Sequence, residues 1–160
     1  MKKLTVLLLL IIFIFNSCFD SSNSKPNTTI LDSDEYDSKI ERVEILKKEI
    51  KYFSDFEDAE FELFNVNGFS DSRTVLQGAS SWDYKFVIKI NPSDVNTWTD
   101  GMEKILSSKD DKDWMNDIIE KRKIKWKTTS SPELYNRQGT NVLMIVYRSE
   151  GIIYKRVVNL

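Results

Sequence analysis

From Asp83 to Ile90 the chain alternates with a period of two: Tyr84, Phe86, Ile88 and Ile90 are apolar, while Asp83, Lys85 and Lys89 are charged. A pleated strand sends such residues to opposite faces, one buried and one mostly wet, which is the habit of antiparallel sheets. Val142 to Tyr147 and Ile152 to Val158 are apolar runs separated by Ser149, Glu150 and Gly151, the pattern of a hairpin with a glycine in its turn. Ala59 to Val66 alternates early and changes phase at Phe64 and Val66, which predicts a strand carrying a bulge. Ile124 and Trp126, set between Lys123, Lys125 and Lys127, predict another half-buried strand.

Helical spacing replaces this alternation in three places. Ile40, Val43, Leu46, Ile50 and Phe53 recur every three or four residues, and Ser38 followed by Glu41 has the spacing of a capping box. Asn91 and Pro92 open a second helix, with Val95, Trp98, Met102 and Ile105 as its apolar stripe. A third, from about Asp111 to Arg122, buries Trp114, Ile118 and Ile119. The expected fold class is therefore α+β, a mainly antiparallel sheet of about five strands with about three helices packed on one face.

The one segment outside this pattern is the N-terminus. Lys2 and Lys3 precede a run from Leu4 to Phe15 interrupted only by Thr5, and polarity returns at Asn16 and Ser17. The run is about 12 residues, within the roughly 7 to 15 of a signal-peptide core and short of the roughly 18 to 20 that span a membrane as a helix. Cys18, the sole cysteine, follows Ser17. Met1 to Cys18 resembles the signal of bacterial lipoproteins, with Phe15 standing where that family usually carries Leu three positions before the cysteine. The resemblance implies that the Cys18 sulfur receives diacylglycerol, that the chain is cut just before it, and that the mature protein is exported to the bacterial cell membrane or outer membrane. Two acyl chains at about 0.8 kcal/mol per buried CH₂ hold a protein stably where one does not.

Residues 18–34 read as the lipidated cysteine and a flexible tether rich in Ser, Asn, Thr and Asp, and residues 35–160 as a single α+β domain behind the signal peptide of residues 1–17.

Catalytic groups are scarce. Histidine is absent, which removes His-dependent triads and histidine metal sites, and a single cysteine leaves neither an internal disulfide nor a CxxC site. Gly78 to Trp82 lacks the G-x-S-x-G elbow, and the S-x-x-K spacing of Ser22 and Lys25 falls in the tether. Neither Asp32, Asp34 and Asp37 nor Asp110, Asp111 and Asp113 fits a calcium loop, so no metal or cofactor is expected. Lys121 to Lys127 is basic around Trp126, but the formal charge of −2 argues against nucleic acid as a partner.

Asp58, Glu60 and Glu62 alternate along one strand and would stand about 7 Å apart, the spacing of paired acids or simply of a solvated face. Trp82, beside Ser80 and Ser81 at the end of the long loop from Asn67 to Ser81, is the expected interaction surface. With no catalytic residue assigned, the expected activity is non-catalytic: binding a protein partner in the envelope, as an immunity-like inhibitor or an accessory subunit does. The rival expectation is a carboxylate-dependent glycan hydrolase using a pair among Glu57, Asp58, Glu60 and Glu62.

Overall fold

A computed structural model describes residues 28–69, 80–108 and 112–159. The expected signal peptide, Cys18, the first part of the tether with Ser22 and Lys25, and most of the loop before Ser80 lie outside the described residues.

The class is α+β, built on one antiparallel sheet of seven strands in the order β1-β2-β3-β7-β6-β5-β4. The strands are β1 (Thr28–Asp32), β2 (Phe56–Phe69), β3 (Trp82–Ile90), β4 (Glu103–Ile105), β5 (Glu133–Asn136), β6 (Asn141–Tyr147) and β7 (Ile152–Asn159). Two meanders, β1-β2-β3 and β4-β5-β6-β7, are joined where β3 pairs with β7, Phe86 opposite Lys155. The expected tether of residues 18–34 is corrected over its last part, because Ile30, Leu31 and Asp32 pair with Phe64, Leu63 and Glu62. The irregularity expected near Phe64 falls in this β1–β2 pairing, while Phe64 and Val66 are exposed.

Helices cover both faces of the sheet, where one covered face was expected. On one face α1 (Lys39–Glu49) and α2 (Val95–Thr99) pack over Phe61, Phe86, Ile88, Met144 and Ile153. On the other, α3 (Trp114–Asp117) and the 3-10 segment Glu120–Trp126 bring Trp114, Ile118, Ile119 and Trp126 onto Val87, Leu143, Ile145 and Tyr154. The reason is visible in β6, where Leu143 to Val146 are consecutive buried residues, so neither face can be left wet.

α1 begins as its capping box dictates, with the Ser38 hydroxyl accepting from the Glu41 amide at 3.4 Å. Its inner face differs from the expected stripe: Arg42, Val43 and Leu46 are buried, whereas Ile40 is 73% exposed. The second helix stops at Thr99, short of the expected stripe. Gly101 takes φ 65° and turns the chain so that Ile105 ends the edge strand β4. The expected strand around Ile124 is instead the 3-10 segment, in which Trp126 is buried and Ile124 is exposed.

Glu150 fixes the loop between that segment and β5. Its carboxylate accepts from the amides of Thr129 at 2.8 Å and Ser130 at 2.9 Å. The Ser130 hydroxyl and these amides hold its carboxyl at about 2.

Candidate binding groove

The carboxylate row is occupied by structural work. Asp58 and Glu60 do share one side of β2, but the fully buried Arg42 side chain lies across them, with Nη2 at 2.8 Å from Asp58 Oδ1 and Nε at 3.5 Å from Glu60 Oε2. Arg122 approaches Glu60 from the opposite layer at 2.7 Å, and the Trp126 indole donates to it at 3.4 Å. Burial raises the Glu60 carboxyl above its ordinary range, against the pull of both guanidinium groups. Glu62 pairs with Lys85 at 2.6 Å, and Glu57 stands in solvent. A sugar has no access to Glu60, whose exposure is 0%. This arrangement offers no open cleft between two carboxyls, the geometry that glycoside hydrolysis requires.

The basic segment is similarly engaged. Lys121 donates to the Asp34 carbonyl at 2.6 Å, Arg122 belongs to the buried cluster, and Trp126 is too deeply packed to stack on a base. Among the described residues no three His, Cys, Asp or Glu side chains converge to hold a metal ion.

Ser80 and Ser81 precede β3, and Trp82 opens it. The Ser81 carbonyl accepts from Val66 N at 3.0 Å, and the Ser80 carbonyl accepts from Asn159 Nδ2 at 2.9 Å, so both serines serve the sheet through their backbone. Trp82 is half-buried at the start of β3, on the same side of the strand as Tyr84 and Phe86.

That side of β3 leads to a concave feature the sequence reading missed. An open groove of about 220 Å³ lies where the end of α1 stops short of the β3–β7 floor. Ile50, Phe53, Tyr84, Phe86 and Val157 give it apolar and aromatic walls, and Glu49, Lys51, Arg137 and Lys155 give it charge. Its wall is fixed from α2: the Trp98 indole donates to Ser54 Oγ at 2.8 Å, and the Trp98 ring meets Phe53 edge-on, 5.3 Å between centroids.

Lys155 is the unusual member. Strand alternation puts it on the inward side with Ile153 and Val157, and its ammonium lies 5.7 Å from the Phe53 ring centre and 6.0 Å from that of Trp98. Aromatic faces attract a cation, worth about 0.5–2 kcal/mol each, but none of the described carboxylates forms an ion pair with it. Burial, with the added repulsion of Arg137, pushes its pKa from 10.5 down to about 8.

The sign of the consequence follows from linkage. Between about 8 and 10.5 the unfolded chain holds more protons at this position than the folded one, so the Lys155 contribution to stability rises with pH through that window. Urea unfolding at both ends of the window, in the native sequence and in Lys155→Met, measures it. The native protein should gain stability relative to the variant as the pH rises, and an unchanging difference contradicts the desolvated ammonium. The sequence did carry a signal for this residue: in Ile153, Lys155 and Val157 a lysine stands at the inward phase of an apolar strand.

No helix among the described residues is long and apolar enough to cross a membrane. Compared with protein-family models, curated proteins and solved structures, the chain matches none of them.

Proposed function

We propose that the mature chain is a bacterial lipoprotein, held in the cell membrane or outer membrane through diacylglycerol on Cys18. Its α+β domain binds a protein partner of the envelope without converting it, as an immunity-like inhibitor or an accessory subunit does. The anchor rests on the order Lys2, Lys3, apolar run, Ser17, Cys18. The binding role is supported by one observation above all: Asp58, Glu60 and Glu62 are tied to Arg42, Arg122 and Lys85, while the groove beside Phe53 presents cations to which no carboxylate of the described residues is bound.

The anchor is tested by mass spectrometry of the native protein extracted from membranes. The N-terminal peptide is expected to begin at Cys18 and to carry the mass of a diacylglyceryl thioether, and Cys18→Ser should release the protein from the membrane fraction. An unmodified thiol at Cys18, or a mature chain starting elsewhere, removes the anchor.

A further inference from the structure

We propose that the groove at the end of α1 seats one large apolar side chain of a protein partner, together with a carboxylate adjacent to that residue in the partner's sequence. This rests on the assignment of the domain as a protein-binding module and specifies what it recognises.

Size is the first argument. At about 220 Å³, open to solvent, the groove falls below the roughly 300–1,000 Å³ of pockets that enclose a whole small ligand. It has room for a single protruding side chain, the usual anchor of a protein contact. Chemistry is the second. Phe53 and Tyr84 offer aromatic surface to an apolar group, and Phe53 is held in place by Trp98.

Charge is the third argument and decides the neighbour. Lys51, Arg137 and Lys155 converge on the groove, and none of the three is paired with a carboxylate of the described residues. Among the described residues, Glu49 is the one acid in the lining. Lys51 and Arg137 are exposed on the rim, so they can meet a carboxylate that stays near the surface while the apolar group descends. Lys155 cannot leave: its stem is fixed in β7 between β3 and β6. An incoming carboxylate supplies the counter-charge that the sheet withholds, and a charge-assisted hydrogen bond formed away from bulk water is stronger than one formed on an open surface.

The test uses the full mature chain in detergent micelles and three fluorescein-labelled, C-terminally amidated pentapeptides: Gly-Gly-Phe-Asp-Gly, the same with Asn for Asp, and the same with Ala for Phe. Fluorescence polarisation is expected to show the first binding at least tenfold tighter than either relative. Lys155→Met should abolish the preference for Asp over Asn, and Arg137→Gln, an exposed change that leaves the fold alone, should reduce it. Equal binding of the Asp and Asn peptides, or no binding of any, overturns the proposal. Competition by 3-phenylpropionate at the affinity of the peptide also overturns it, in favour of a small organic acid.

A photoreactive side chain at Lys51 in living cells separates this claim from the one beneath it. A discrete protein adduct without peptide discrimination removes the apolar-carboxylate motif and leaves protein binding standing. Absence of both removes both.

Discussion

Arg42→Ala is expected to cost roughly 3–5 kcal/mol, the range found when one partner of a buried charge cluster is removed. The guanidinium is wholly buried and donates to the carbonyls of Ala59 at 2.9 Å, Tyr36 at 3.2 Å and Asp37 at 3.0 Å, as well as to Asp58 at 2.8 Å. Where β1 stops pairing, at Asp32 opposite Glu62, Arg42 continues the edge by satisfying the Ala59 carbonyl. Alanine strands those acceptors and leaves Glu60 with Arg122 as its remaining cation. Against a total stability of about 5–15 kcal/mol for a domain of this kind, that loss is large.

Urea unfolding reads the loss as a lower midpoint at unchanged slope. Arg42→Lys should recover only part of it, since one ammonium cannot reproduce a planar fork of donors. Arg42→Ala combined with Glu60→Ala should cost less than the sum of the two single changes, because neither charge is then left alone. A loss below about 1 kcal/mol for Arg42→Ala contradicts the buried-charge account.

The second large effect is expected at Gly151, and it is set apart from the left-handed Gly101 and Gly139 by what lies next to it. Gly151 has φ 63° in the turn between β6 and β7, and its carbonyl accepts from Ile90 N at 2.8 Å. A β-carbon there would sit inside the contact distance of the Ile90 carbonyl oxygen, with Pro92 N at 3.2 Å. Gly139, at φ 70°, has nothing within 4 Å of the same hypothetical atom.

Gly139→Ala should therefore cost about 1–2 kcal/mol for the left-handed backbone alone. Gly151→Ala should cost about 2–4 kcal/mol, because backbone must also give way. Asparagine separates the two causes. It tolerates left-handed geometry, so Gly139→Asn should be nearly neutral, while Gly151→Asn stays as damaging as alanine. Thermal unfolding of the four variants measures this, and equal losses at both positions rule out the clash.

Much of the sheet was legible because its long strands obey a simple period. β3 and the β6–β7 hairpin are apolar at the phases their burial demands, and α1 announced itself through Ser38 and Glu41. What escaped was short or polar. Thr28–Asp32 has the composition of a linker and becomes a strand because the edge of β2 away from β3 receives it, Phe64, Leu63 and Glu62 pairing with β1 on one side and β3 on the other; β4 and β5 are too brief to show periodicity. The alternation of Ile124 and Trp126 mimicked a strand, yet a tight helical turn also sends those two side chains apart. The carboxylates were found by spacing, but their guanidinium partners come from α1 and from the 3-10 segment, which no local pattern connects to β2. The groove was invisible for the same reason: Phe53, Tyr84, Arg137 and Lys155 meet only through tertiary packing.

The pairing of β3 with β7 has a consequence for how the protein is made. β3 emerges from the ribosome near the middle of the sequence, but its second neighbour is the strand synthesised latest of the seven. Until Ile152–Asn159 arrives, the two meanders are unjoined ribbons with raw edges, and native order that depends on such distant partners forms slowly. The seven-stranded sheet of the described residues therefore closes only once synthesis has passed Ile152, and a chain cut before that point lacks the one pairing that joins its two halves.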